Sequence, residues 1–112
     1  MQVHVVRSAQ PGCEPDCQEW IAAQGRIDGS SLSLFKKALK KQANRKPLIL
    51  IDSSGGHVES SLAIGRLIRA KGLDVAVTKT EFVPCAPDAA ACLKAAANGV
   101  RTGMPVALLS KC

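Results

Sequence analysis

Hydrophobic and polar residues change their spacing twice within residues 48–78. The segment opens with an unbroken apolar run at 48–51, which is typical of a strand buried on both faces. From Val58 to Ile68, apolar and small residues recur every three or four positions, as on one face of a helix. Basic residues followed by Gly72 predict the end of the helix. Apolar and polar residues then alternate over 73–77, which predicts a second strand. The pattern predicts a βαβ unit with parallel strands and a right-handed crossover.

Two adjacent glycines occupy the turn between the first strand and the helix. Because Gly55 and Gly56 have no Cβ, a ligand can approach their backbone closely, and their N–H groups lie at the positive end of the helix dipole. With His57 beside them, they are candidates for holding a developing oxyanion. The alternative is that the glycines only make a tight turn. The chain contains neither G-x-G-x-x-G nor G-x-x-x-x-G-K-[ST], so no nucleotide cofactor is expected.

Further elements are predicted before this unit. Residues 2–7 and 19–27 have the composition of strands, and His4 is interpreted as an exposed strand residue. A turn at 28–31 supplies the N-cap of a helix with a stripe of Leu32, Phe35 and Leu39. The opposite side of that helix is basic. Its cations, with two just beyond, are Lys36, Lys37, Lys40, Lys41, Arg45 and Lys46. We interpret them as a solvated face, and a polyanion-binding patch is the alternative.

After the βαβ unit the organisation changes. Residues 79–104 contain two prolines, two cysteines and two glycines, and we interpret them as an insertion-like excursion. An alanine-rich helix is predicted within it at 88–97. Residues 106–109 are then predicted to form a third core strand.

The cysteines indicate an oxidising compartment, since five in 112 residues is unusual for a reducing cytosol. Cys13 and Cys17 are four positions apart and Cys85 and Cys92 are seven apart, so each pair is a candidate local disulfide. Zinc is the alternative, but the second spacing matches a four-ligand site poorly, and no metal is predicted. The odd count leaves at least one cysteine outside these pairs. Residues 1–6 lack the apolar region of a signal peptide, so we expect the natural start to lie upstream.

Length and composition limit the functional classes. A chain of 112 residues is a single domain, and its hydrophobic content of 46% is that of a folded protein. The net charge of +6 is compatible with a nucleic-acid partner, but aromatic residues make up only 3% and no DNA-binding motif is present. We therefore expect no nucleic-acid partner. No apolar run approaches the ~18 residues of a membrane span.

Residues 26–28 and the segment LILIDSSGGHVESSLAIGRLIRAKG at 48–72 resemble the first half of the Clp protease proteolytic subunit, in the crotonase-like superfamily. The segment QPGCEPDCQEW at 10–20 resembles uncharacterised bacterial proteins of Clp-like fold, many of periplasmic type. The resemblance covers residues 3–112 and implies an α/β domain of partial Clp/crotonase-like ββα repeat fold. Ser54 stands where the family often has proline, which should loosen the turn slightly.

The resemblance implies a serine hydrolase acting on peptide-like or acyl substrates, exported and homo-oligomeric. It places the oxyanion side at Gly55, Gly56 and His57, and the nucleophile after Cys112, so no residue here is assigned as catalytic. We expect the chain to be an incomplete domain, inactive alone. Ser110 and Lys111 are neighbours that a strand would point to opposite faces. Serines 53, 54, 60 and 61 are interpreted as turn and cap residues. The alternatives are a non-catalytic binding or scaffold protein of this fold and, more weakly, a polyanion-binding protein.

Overall fold

The computed structural model describes residues 1–13, 16–42, 45–85, 87–88 and 90–106. The elements, in chain order, are β1 (Gln2–Ser8), β2 (Glu19–Gln24), α1 (Ser31–Lys41), β3 (Leu48–Asp52), α2 (Val58–Lys71), β4 (Val75–Val77), β5 (Thr80–Phe82), α3 (Ala90–Ala97) and β6 (Arg101–Pro105). The strands form one sheet in the order β4-β3-β2-β1-β6-β5. The α/β class is confirmed. The sheet is mixed, however, because β1–β2 and β5–β6 are antiparallel while the other neighbours are parallel, which corrects the expectation of parallel core strands.

The predicted βαβ unit is present. β3 and β4 are parallel, with Ile49 opposite Val75, and α2 connects them. The helix begins after His57, whose side chain accepts a hydrogen bond from the Ser60 N–H. It ends at Gly72, where φ is 64°, a left-handed conformation that glycine adopts without a Cβ penalty.

The first face of the sheet is covered by α1 and α2. Each helix connects two neighbouring parallel strands, and both steps run in the same direction across the sheet, so right-handed crossovers place both helices on one face. The core on this face consists of Val5, Ile21, Ala23, Phe35, Ala38, Ile49 and Ile64. The amphipathic stripe of α1 centres on Phe35, which is 1% exposed.

The second face is covered by the sheet itself. Its buried residues are Val6, Trp20, Ala22 and Leu50, with Phe82 of β5 packed against them. β4 and β5 occupy opposite ends of the strand order, yet only Thr78 and Lys79 connect them. Three Cα–Cα steps reach at most ~11 Å, whereas five strand spacings in a flat sheet amount to ~24 Å. The sheet must therefore curl, and it brings β5 over the second face.

Several predicted boundaries differ from the structure. The strand predicted at 19–27 ends at Gln24, because Gly25 turns the chain with a φ of 99°. The segment at 79–104 contains β5, α3 and most of β6, and the helix predicted from residue 88 begins at Ala90. Of the strand predicted at 106–109, only Val106 is described. It follows β6, and its N–H donates to the Lys79 carbonyl. Residues 107–109 lie outside the described residues.

Candidate functional site

The glycine turn lies at the carboxyl end of β3 and is fixed to the chain after β2. The Ile27 N–H donates to the Gly55 carbonyl at 3.0 Å, and the His57 N–H donates to the Ile27 carbonyl at 2.9 Å. These bonds form an isolated parallel bridge between Ile27 and Gly56. Gly55 and Gly56 have φ angles of 115° and 146°, in the region that L residues rarely adopt. A Cβ on Gly56 would overlap the Ile27 backbone, whereas a Cβ on Gly55 would meet nothing within 4 Å.

The backbone N–H groups of the turn are unequally engaged. The Gly55 N–H donates to Ser53 Oγ at 3.1 Å, and the His57 N–H is held by Ile27. The Gly56 N–H donates to no residue in the described ranges. Of the three oxyanion candidates, the geometry therefore leaves Gly56 with an available backbone donor.

Gly56 lines a shallow pocket of about 590 Å³ between residues 26–29 and 56–59. The charged residues of the pocket are Arg26, Asp28 and Glu59. Hydrogen bonds from the Ser30 hydroxyl and N–H, joined by the N-terminal ammonium, hold the pKa of the Asp28 carboxyl well below its usual range. The pocket thus contains two carboxylates and one guanidinium, and this net negative charge favours a neutral carbonyl over a bound anion.

The side chains of His57 and Ser60 contact each other at the start of α2. Ser60 Oγ lies 2.9 Å from His57 Nδ1, and the same nitrogen accepts the Ser60 N–H at 3.2 Å. Ser60 is 9% exposed, and no carboxylate among the described residues bonds to His57. The pair caps α2 rather than forming an accessible nucleophile and base.

Two of the other candidate serines, Ser53 and Ser61, are held in local hydrogen bonds. Ser53 Oγ donates to the Gly55 carbonyl at 3.2 Å, and Ser61 Oγ donates to the His57 carbonyl at 2.9 Å. Both arrangements fit the predicted turn and cap roles. Ser110, Lys111 and Cys112 lie outside the described residues.

Both predicted disulfide pairs are confirmed at bonding distance. The Cα atoms are 4.7 Å apart in Cys13–Cys17 and 5.7 Å apart in Cys85–Cys92. Thr102 Oγ1 lies 2.9 Å from the Cys92 sulfur, so its hydroxyl tethers this bridge to β6.

In the described part of the chain, no three metal-ligating side chains come together, and no helix is long and apolar enough to cross a bilayer.

A cluster on the second face was not found from the sequence. His4 packs edge-on against Phe82, with ring centroids 5.5 Å apart, and the Arg101 guanidinium lies 4.1 Å from the Phe82 centroid. Burial lowers the pKa of His4, and the charges of Arg101 and Lys41 lower it further. His4 is thus partly buried, not an exposed strand residue as predicted. These residues lie on the neighbouring strands β1, β6 and β5, and β1 is far from the other two in sequence, so no local pattern could have revealed the cluster.

No family model, curated protein or solved structure matches the chain in the three comparisons. The Clp-like resemblance therefore rests on the sequence segments themselves.

Proposed function

We propose that this chain supplies the oxyanion side of a Clp/crotonase-like domain whose active form is a serine hydrolase for peptide-like acyl groups. The observation that carries the proposal is the Gly56 N–H. This N–H has no acceptor in the described residues and lies at the N-terminus of α2, and its residue lines a pocket. In parallel α/β sheets, ligands bind at this carboxyl edge of the strands.

The fixed position of the donor supports an oxyanion role. The Ile27 hydrogen bonds hold the backbone on both sides of Gly56, so the N–H does not reorganise when charge develops on a carbonyl oxygen. The helix dipole adds a favourable potential at the same point. The carboxylates of Asp28 and Glu59 in the same pocket oppose the developing negative charge, so the N–H and the dipole have to outweigh them. One such donor is typically worth about 2.7–4 kcal/mol in a transition state.

The remaining catalytic groups are not among the described residues. Within those ranges no serine, histidine and carboxylate form a triad, so the proposal assigns no nucleophile or base to this chain. Homo-oligomerisation and a periplasmic location belong to the same proposal. The two disulfide pairs are compatible with an oxidising, exported environment and support that part of it.

A non-catalytic binding or scaffold protein is the second candidate. The close approach of Ile27 to Gly56 favours it, because that contact alone requires glycine at position 56. A substitution of Gly56 would break the bridge to Ile27, and any loss of activity would then report unfolding. The test must therefore leave the turn unaltered.

Amide chemical shifts test the binding role without a mutation. On titration with a neutral N-acetyl dipeptide amide, the Gly56 amide proton should move downfield as it donates to a carbonyl. The Gly55 amide is the internal control, because Ser53 already accepts its hydrogen bond. Equal shifts at both glycines, or no shift at Gly56, would remove the oxyanion role.

Catalysis is tested by covalent labelling. A serine-reactive fluorophosphonate should leave the 112-residue chain unlabelled, since Ser60 is buried in its contact with His57. It should label a gene product in which this sequence continues into a small-Ser-small segment. A peptide-induced shift at Gly56 without labelling of that product would support the binding protein instead.

A further inference from the structure

A groove opens between the C-terminal ends of α1 and α2, at the opposite edge of the sheet from the glycine turn. Each helix starts after the carboxyl end of one parallel strand and ends before the next strand begins. Both helix C-termini therefore lie near the amino ends of β3 and β4. The groove has a volume of about 750 Å³, which falls within the roughly 300–1,000 Å³ of small-molecule sites.

The apolar part of the groove is formed by three leucines. Leu39 comes from α1, Leu67 from α2, and Leu73 follows α2. All three pack against the core of the first face and remain only partly buried. Their uncovered surface would gain stability from contact with an alkyl chain, at about 25 cal/mol per Å² removed from water.

The rim of the groove is cationic. It contains Lys36, Lys40, Arg45, Lys46 and Lys71. Glu19 approaches Arg45 with an N–O distance of 3.6 Å, and the four lysines have no carboxylate partner in the described part of the chain. Each helix C-terminus contributes roughly half a negative charge. After these contributions, about three positive charges remain uncompensated around the apolar floor.

We propose that this groove binds a single-chain anionic amphiphile, that is, an alkyl or acyl chain ending in a carboxylate or phosphate. The chain would cover the leucines and the head group would neutralise the lysines. A purely polar polyanion would leave the leucines in water, and a neutral lipid would leave the cations unpaired. A solvated lysine face, as the sequence suggested, would leave the uncovered part of the leucines in water.

The first experiment varies the ligand. Decyl phosphate, kept below its micelle concentration, should bind and shift the methyl signals of Leu39, Leu67 and Leu73. Shortening the chain to octyl should weaken binding about tenfold, since each buried CH₂ contributes about 0.8 kcal/mol. Inorganic phosphate carries the head-group charge without the alkyl chain, and decyl maltoside carries the alkyl chain without the charge. Both should bind far more weakly than decyl phosphate.

The second experiment varies the protein. The double variant Lys40→Gln/Lys71→Gln should bind decyl phosphate about tenfold more weakly, the effect of two exposed ion pairs. Its matched control is Lys37→Gln/Lys94→Gln, which removes the same charge from positions that do not line the groove and should bind as the wild type does. Thermal midpoints of both variants check that the fold is retained.

Any of five results would overturn the proposal. Equal binding of inorganic phosphate would indicate charge alone, and equal binding of decyl maltoside would indicate hydrophobic contact alone. Binding only to phosphatidylglycerol vesicles or only to poly-glutamate would assign the groove to a membrane surface or to an acidic chain. Equal weakening in the control variant would show that net charge, and not this groove, governs affinity.

Discussion

The first face of the sheet is covered by two helices, and the second face is covered by a strand of the same sheet. On the first face, α1 and α2 bury an aliphatic core around Phe35. On the second, Phe82 of β5 packs against the buried cluster, and two hydrogen bonds from β2 hold β5. Trp20 Nε1 donates to Thr80 Oγ1 at 3.1 Å, and Gln24 Nε2 donates to the Thr80 carbonyl at 2.9 Å.

The two coverings differ in how locally they are encoded. Each helix can be recognised from the 3.6-residue hydrophobic period of its own segment. The curl of the sheet depends on a two-residue connection and on contacts between residues about sixty positions apart, as in the Trp20–Thr80 bond. The helical face therefore tolerates changes one helix at a time, whereas the second face depends on a few contacts that span the chain.

Truncation of the central side chain on each face should break the two coverings separately. Trp20→Ala and Phe35→Ala should each cost about 3–5 kcal/mol in the free energy of unfolding. Native-state hydrogen exchange should show that Trp20→Ala opens mainly β5 and β6, while Phe35→Ala opens mainly α1. If both variants open the same amides, the two faces form one cooperative unit and the comparison fails.

Removal of the Cys85–Cys92 bridge should weaken the second face more than the first. The effect should be local, because the bridge joins the segment after β5 to α3. The double alanine variant should lose about 2.5 kcal/mol of unfolding free energy, as expected for so short a closed loop. Cys13→Ala/Cys17→Ala, with a sequence separation of 4 instead of 7, is the control and should lose slightly less. Exchange rates of β6 amides that rise only in the first variant would support this assignment.

Two glycine substitutions should have opposite signs. A Cβ on Gly103 would lie 2.7 Å from the Glu81 carbonyl oxygen and 3.1 Å from Val6 Cγ1, so Gly103→Ala should cost roughly 1–3 kcal/mol. Gly65 lies inside α2 with nothing within 4 Å of its Cβ position, so Gly65→Ala should add about 1 kcal/mol. Denaturant midpoints measure both changes. A harmless Gly103→Ala would mean that β5 does not approach the second face closely.

Acid should weaken the second face slightly through His4. Its folded pKa is lowered from 6.5, so the unfolded chain binds more protons, and stability falls as the pH drops below about 6.5. The thermal midpoint should decline less between pH 7.5 and pH 5 in His4→Gln than in the wild type. Protonation of Asp28 in acid also removes a stabilising charge. Because its folded pKa is lowered, this loss begins only near the ordinary pKa of 3.8. Parallel pH profiles for the two proteins would exclude His4 as the cause.

Sequence patterns predicted the features whose own residues show a hydrophobic period, a glycine stop or a short cysteine spacing. These include α2 with its Gly72 stop, the strands on either side of it, and both disulfide pairs. The short β5 was missed because three residues are too few to show an alternation, and its burial comes from β2. At the site, the pattern located the glycine turn. It could not show that Ile27 engages the His57 N–H, because that contact depends on tertiary pairing.

The position of β1 sets the order in which the sheet can assemble during synthesis. β1 precedes β2 to β6 in the chain, yet it lies inside the sheet, between β2 and β6. Strands β1 to β4 can pair early, but one edge of β1 stays open until Arg101 reaches its position beside Val6. Such a delay slows folding and leaves an unpaired edge that invites association with other nascent chains. β6 thus covers an edge of β1 that would otherwise stay unpaired.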